Sequence, residues 1–277
     1  MPLNPFDWTG TPFLILYAAL FAAALAASAI LPARRLPAGR ERLVTDPDEL
    51  AFLGGGAARV AESIAARLLV GGDLAVQDKS RLYVAPGRAK IALPGVAGAA
   101  AFSGELSWND LQIGARVQAR AVETRLRAQG LVIDADTQGT RRELALWPFG
   151  ALAAFGLLKL VVGLSRDRPV GFLLCFLLAT GLVALMRGTT LSPLTAGGAT
   201  TLAHARQRGT RLRRAPAPGE EALAVALFGT VVLAGSAYAP LHQLRTAGGD
   251  TSGSDGGSGC GGGGGGGGGG GCGGCGP

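Results

Sequence analysis

Three long apolar segments constrain the fold of this chain more than any other feature. They cover residues 12–31, 144–164 and 169–186, and Lys159 is the one charged residue within them. A helix rises about 1.5 Å per residue, so roughly twenty apolar residues cross a hydrocarbon core of about 30 Å. Because backbone amides in lipid must bond within their own segment, each segment should be helical. The sequence therefore predicts three transmembrane helices.

Two features of these segments have alternative interpretations: the first segment as a signal peptide, and Lys159 as a functional charge. Ala27-Ser28-Ala29 resembles the cleavage site of a signal peptide, but the first eleven residues contain only Asp7 where a signal peptide has positive charge. We therefore favour an uncleaved helix. Lys159 is either a buried functional charge or, as we expect, a side chain that extends along the helix to the interface.

A fourth segment, residues 222–241, is long enough to span but is less apolar. It contains Gly229, Gly235, Ser236 and Pro240, which lowers its gain from insertion. It is predicted to be either a weak fourth span or a helix that lies on the bilayer or on the other helices. Small residues at four-residue spacing in the spans would let helices approach closely, either in a packed intramembrane bundle or in a dimer. These residues are Ala18, Ala22, Ala26, Gly171, Cys175 and Ala179.

The distribution of arginines predicts the orientation. Basic residues follow the first span, precede the second and follow the third, and none precedes the first. Because cytoplasmic loops carry the excess of Lys and Arg, we expect residues 1–11 to be extracytoplasmic and residues 32–143 and 187–221 to be cytoplasmic. The four residues 165–168 would join the second and third spans as a tight hairpin on the outer side, and their two arginines are the exception to the rule. Much of the net charge of +7 therefore reports topology and does not require a nucleic-acid partner.

The segment between the first two spans has the composition of a small α+β domain. Asp46-Pro47-Asp48-Glu49 is typical of a helix start. We interpret Gly54-Gly55-Gly56 as a break in this helix. The alternative, a phosphate-binding loop, is disfavoured because the run has neither the Lys of a P-loop nor a preceding strand. A second helix to Val70 and a β-hairpin with its turn at residues 78–80 complete a first unit, about residues 46–85.

A second, similar unit is predicted over about residues 107–136. Ser107 should cap a short helix, a longer helix should cover residues 115–129, and residues 131–134 should form a strand. Helices followed by a two-stranded wing resemble the winged-helix arrangement, which raises the hypothesis of DNA binding. Acidic residues are interspersed among the arginines of both units, so we do not expect a nucleic-acid partner.

Residues 248–277 form a tail of Gly, Ser, Asp, Thr and Cys. Such a segment buries too little surface to order itself, so we expect it to be disordered. Cys260, Cys272 and Cys275 are its candidate chemistry: they would bind metal, form disulfides or be modified, or they have no defined geometry. Disulfides would form on the oxidising outer side of the membrane. The tail reaches that side only if residues 222–241 form a fourth span.

Four sequence elements together resemble an uncharacterised family of bacterial multi-pass membrane proteins. They are Asn4-Pro5-Phe6-Asp7, the Pro-x-Glu-Leu-Ala-x-Leu-x-Gly-Gly element at residues 47–56, the start of the third span at residues 168–173, and the Gly/Cys-rich C-terminus. The resemblance covers nearly the whole chain and implies architecture and location, with no activity or catalytic residues. The preference for Arg over Lys and the abundance of Ala fit a GC-rich bacterial source.

The combined expectation is an α-helical membrane protein of the bacterial inner membrane. It has three transmembrane helices and a fourth candidate, a small winged-helix-like cytoplasmic α+β domain, and a disordered Gly-rich tail. No catalytic grouping is recognisable, so we expect no enzyme and no cofactor. The preferred function is an interaction or assembly module that docks a protein or self-associates; the alternatives are a role centred on the tail cysteines and, third, an enzyme or transporter.

Overall fold

The computed structural model describes residues 11–77, 81–85, 104–165 and 171–247. Several predicted features lie outside these ranges: the N-terminal residues 1–10, the hairpin turn at residues 78–80, the linker arginines Arg166 and Arg168, and the tail at residues 248–277 with its three cysteines. Within the described part of the chain, the molecule is mainly helical and has one small sheet.

The three predicted spans are present as long helices. They are α1 (Thr11–Arg34), α4 (Ala135–Leu164) and α5 (Gly171–Thr190), and in the described residues these are the three helices long and apolar enough to cross a membrane. Helix α4 begins nine residues before its predicted apolar segment. Its first turns therefore lie beyond the hydrocarbon region on the side of the folded domain.

Helices α1, α4 and α5 share an apolar core of their own. The ring of Phe13 stacks on that of Phe155 at a centroid distance of 5.8 Å, and the ring of Tyr17 meets that of Phe176 edge-on, also at 5.8 Å. The buried hydroxyl of Tyr17 lies 3.1 Å from that of Thr180, which joins α1 to α5 by a hydrogen bond. Every polar atom of this pair is thereby satisfied away from water, as an apolar surrounding demands.

The small residues predicted to serve a packed bundle or a dimer do not lie in this core, so the dimer alternative stays a prediction. All six of them, Ala18, Ala22, Ala26, Gly171, Cys175 and Ala179, are exposed on the outer surface of the bundle. The close approach occurs instead at Gly156 of α4, where an added Cβ would lie 2.8 Å from Leu177 and 3.0 Å from the Tyr17 ring. The aromatic side chains of α1 need room, and a glycine on the facing helix provides it.

Helix α2 (Pro47–Val70) is the centre of the folded domain. Asp46 caps it through its side chain, with Pro47 in the first turn, and Gly55 and Gly56 have non-helical backbone angles that kink it. The predicted helix start and interruption are therefore confirmed. Strands β1 (Leu74–Gln77) and β2 (Arg81–Val84) pair as the predicted antiparallel hairpin, and β3 (Glu105–Leu106) adds to β2 in the order β1-β2-β3.

The predicted second unit differs from the structure in two ways. A single helix, α3 (Trp108–Ala128), begins at the capping box of Ser107 and Asp110, so the short and the long predicted helices are one. The predicted strand at residues 131–134 is absent as a strand: Val132 forms one isolated bridge to Leu194. Its apolar residues are buried against the segment that follows α5, so the similarity of the two units does not extend to their fold.

The residues after α5 fold onto the domain instead of forming a free basic segment and a fourth span. They form α6 (Ala196–Arg208), α7 (Thr210–Arg214), α8 (Glu221–Phe228), a 3-10 turn (Thr230–Leu233) and α9 (Ala239–Ala247). Of the two alternatives for residues 222–241, the transmembrane span is not present, because Gly229, at φ 85° and ψ 177°, ends α8 after two turns. Residues Ala224–Leu227 are buried against α2, so their apolar character reflects a protein core and not lipid.

The folded domain therefore consists of two separate pieces of chain. Residues 44–132 and residues 202–244 contribute to one apolar core, while α4 and α5 leave the domain and return to it between them. Hydrogen bonds between the linker after α1 and the start of α6 join the two pieces: the amides of Ala196 and Gly197 donate to the carbonyls of Pro37 and Ala38. Both pieces must lie on the same side of the membrane, and the two spans between them, α4 and α5, return the chain to that side.

Candidate functional site

A buried ion cluster lies where the two pieces of the domain meet. Glu62 of α2 is 1% exposed, and its Oε1 accepts a bond from Nε of Arg245 on α9 at 2.5 Å. Its Oε2 lies 3.2 Å from Nη1 of Arg59, one turn back on α2. A buried carboxylate is tolerated only when it is paired, so the two arginines are what permits Glu62 at this position.

Glycines make room for Arg59 in this cluster. A Cβ on Gly55 would lie 2.9 Å from Arg59 Cβ, and a Cβ on Gly229 would lie 1.7 Å from Arg59 Nη1. The guanidinium is therefore held between the kink of α2 and the end of α8. The sequence predicted the glycine run as a helix break. Its second role, giving room to Arg59, could not be predicted because Gly229, which encloses the same guanidinium, lies 170 positions from Arg59 in the chain.

The acidic first turn of α2 is neutralised from two sides. Asp48 accepts a hydrogen bond from Nη2 of Arg67 at 3.0 Å and another from the buried amide of Gln118 on α3. Arg125 lies 3.9 Å from Asp46 and 4.0 Å from Glu49. These contacts attach α3 to α2, and they use charges that would otherwise be available to a ligand.

The outer face of α3 is the apolar surface of the domain that the core leaves uncovered. Ile113 is 52% exposed and Val117 is 55% exposed, one turn apart on the same face. Arg116 and Arg120 are exposed beside them. The buried face of the same helix packs against α2 through Leu111, Ala115, Val122 and Leu126, so the outer residues have no part in the core.

At the opposite end of the domain, arginines surround the point where the spans enter it. Arg141 of α4 is 7% exposed; its Nε donates to the Pro32 carbonyl at 3.1 Å and its Nη1 to the Ser192 carbonyl at 3.4 Å. One guanidinium thus joins the end of α1, the start of α4 and the loop after α5. It satisfies a helix C-terminal carbonyl that has no partner in its own helix.

A shallow cleft lies between the α1–α2 linker and α6. His204 Nδ1 is 3.6 Å from Glu41 Oε1, both side chains are largely exposed, and the amide of Arg42 donates to Thr201 Oγ1 at 3.3 Å. A solvent-exposed pair of this kind holds little interaction energy. The buried hydroxyl in the described lining of the cleft, that of Thr201, is already bonded to the Arg42 amide.

The remaining candidates from the sequence are distributed as follows. Cys260, Cys272 and Cys275 lie outside the described residues. Among the described residues, no group of three His, Cys, Asp or Glu side chains is placed to hold a metal ion. Lys159 lies with its Nζ 4.9 Å from the centroid of the Phe13 ring, at the end of the bundle remote from the domain, as an interfacial lysine would.

No family model matches the chain, and no curated protein or solved structure matches it.

Proposed function

We propose that this protein is a non-enzymatic docking module of the bacterial plasma membrane. In this proposal the three spans are an anchor, the domain faces the cytoplasm and the N-terminus faces outward, in keeping with the family resemblance and the positive-inside rule. The domain presents α3 to a protein partner. A second copy of the chain is the other candidate for the same surface.

The observation that carries the proposal is the outer face of α3. Ile113 and Val117 are large apolar side chains that remain exposed one turn apart on one helix face, and Arg116 and Arg120 border them. Apolar residues one turn apart on an exposed helix are the usual anchors for a partner helix or groove. Arginine is enriched at such interfaces because it combines charge with a flat apolar surface.

The buried contacts of the domain support docking over catalysis. Glu62 and Arg59 are committed to the contacts of α2 with α9 and the end of α8, and Asp48 is committed to those of α2 with α3. A tail-centred role stays an alternative. Because the fourth span is replaced by helices packed on the domain, the chain reaches residue 247 on the domain's own side, which favours reduced thiols over disulfides if that side is the cytoplasm.

The test is affinity purification of the full chain from its native membrane in mild detergent. We expect a co-purifying protein with the wild type, and its loss in the Ile113→Asp, Val117→Asp double variant. Val231→Asp is the matched control, because Val231 is 60% exposed on the same domain but lies away from α3. Retention of the partner by the double variant would contradict docking through α3. Size analysis in the same detergent distinguishes a second copy from another protein.

A further inference from the structure

The end of the membrane bundle that meets the domain carries arginines with no acidic partner. They are Arg142 on α4, which is exposed, and Arg187 in the last turn of α5, which is half-buried. Within the described residues, neither side chain forms a hydrogen bond or an ion pair, and the buried Arg141 beside them is satisfied by carbonyls alone. Among the described residues, these three arginines of one end of the bundle thus form no ion pair. Glu143 is the nearest acid in sequence, and it is exposed and unpaired.

The packing of α4 against α5 brings these groups together. A Cβ on Gly188 would lie 3.6 Å from both Nε and Nη2 of Arg142, and 3.5 Å from Leu146. The Arg142 guanidinium therefore lies against the last turn of α5 at Gly188, the residue that follows Arg187 in the chain. Glycine at position 188 leaves this surface open, because a larger side chain would occupy the space beside the guanidinium.

The depth of these arginines matches that of lipid phosphates. Trp147 is 75% exposed and lies five residues further along α4, about 7 Å toward the membrane interior. Exposed tryptophans prefer the boundary between headgroups and hydrocarbon. Leu185 and Met186, which precede Arg187 on α5, are exposed for contact with acyl chains. A phosphate level with Arg142 would thus have apolar surface beneath it for its lipid tails.

We propose that Arg142 and Arg187 form a binding site for the headgroup of an anionic phospholipid. The planar guanidinium binds a phosphate through two parallel hydrogen bonds, and basic pockets between spans on the cytoplasmic side are suited to anionic headgroups. The lipid would supply the counter-charge that the described part of the protein lacks here. It would also stabilise the junction that Arg141 holds together, and this assignment does not depend on the docking face of α3.

The test is native mass spectrometry of the full chain in detergent with phosphatidylglycerol or phosphatidylcholine of identical acyl chains. The wild type should bind phosphatidylglycerol more tightly. The Arg142→Gln, Arg187→Gln double variant should bind it about 25-fold more weakly, from roughly fivefold for each arginine near an anionic headgroup. The Arg142→Lys, Arg187→Lys variant should recover most of the preference, because it keeps the charge.

The control variant is Arg116→Gln, Arg120→Gln, which removes the same charge from α3 and should bind phosphatidylglycerol like the wild type. Equal binding of the two lipids by the wild type would overturn the proposal. So would an unchanged preference in the Arg142→Gln, Arg187→Gln variant, or an equal loss in the control. If the Arg142→Gln, Arg187→Gln variant keeps its protein partner, the lipid site and the docking face of α3 are independent of each other.

Discussion

Arg245 and Glu62 form a buried ion pair that attaches the last described helix to the first helix of the folded domain, with Nε and Oε1 2.5 Å apart. They are 183 residues apart in sequence, and two membrane spans lie between them. This pair, together with Arg59, marks the interface at which two separate pieces of chain become one domain. The assembly of the domain therefore requires that α4 and α5 bring the chain back to the same side.

Glu62→Ala should strongly destabilise the domain. Removal of one member of a buried charge cluster leaves the others unpaired and costs about 3–5 kcal/mol. Glu123→Ala is the matched control, since Glu123 pairs with Arg127 at the surface of α3, and its loss should cost less than about 1 kcal/mol. The measurement is the free energy of unfolding of the full chain in detergent. Equal costs for the two variants would contradict the role assigned to Glu62.

Gly229→Ala should be more harmful than Gly219→Ala, although both glycines have positive φ. Gly219 has φ 91° and open space around it, so alanine there adds only backbone strain of about 1–2 kcal/mol. A Cβ at Gly229 would in addition lie 1.7 Å from Arg59 Nη1 and displace that guanidinium from Glu62. Melting temperatures of the two variants check the difference, and a smaller loss for Gly229→Ala would show that Arg59 is not held there.

Gly156→Ala should weaken the membrane bundle, whereas Gly150→Ala on the same helix should not. A Cβ at position 156 would lie 2.8 Å from Leu177, but none of the surrounding atoms lies within 4 Å of one at position 150. Alanine is also the better helix former, by about 1 kcal/mol. Thermal stability in detergent should thus fall for the first variant and hold or rise for the second. The opposite order would contradict the packing of α4 against α5.

Acidification should weaken the start of α3. The hydroxyl and amide of Ser107 donate to Asp110 and hold the pKa of that carboxyl below its ordinary value. Because the pKa of Asp110 is lowered in the folded protein, its ionised carboxyl stabilises the fold above the unfolded-state pKa, near 3.8. This stabilisation is lost as the pH falls through the lower pKa of the folded state. Asp110→Asn should therefore reduce stability at pH 7 and have a smaller effect at pH 3. A difference that does not change with pH would contradict this linkage.

Local sequence patterns predicted the features that depend on neighbouring residues. The spans follow from apolar length, the starts of α2 and α3 from Asp46 and Ser107, and the kink from Gly54-Gly55-Gly56. Each of these requires only residues a few positions apart.

The errors share one physical cause, which is contact between distant segments. Ala224–Leu227 resemble a membrane span in composition, but they pack against α2, and Val132 meets Leu194 in place of a neighbouring strand. The ion cluster of Glu62, Arg59 and Arg245 could not be predicted either, because Arg245 lies far from Glu62 in sequence and only the fold brings the two together. The outward position of Ala18, Ala22 and Ala26 likewise depends on which face the aromatic residues of α1 occupy.

The most direct test of the account is cysteine accessibility in intact cells, in a background without the four native cysteines. Thr124→Cys and Thr210→Cys place single thiols on the two pieces of the domain, and Ser165→Cys places one at the far end of α4; all three positions are exposed. We predict that a membrane-impermeant thiol reagent labels position 165 in intact cells and labels positions 124 and 210 only after the cells are opened. Labelling of positions 124 and 210 from opposite sides of the membrane would contradict the domain that they are proposed to share.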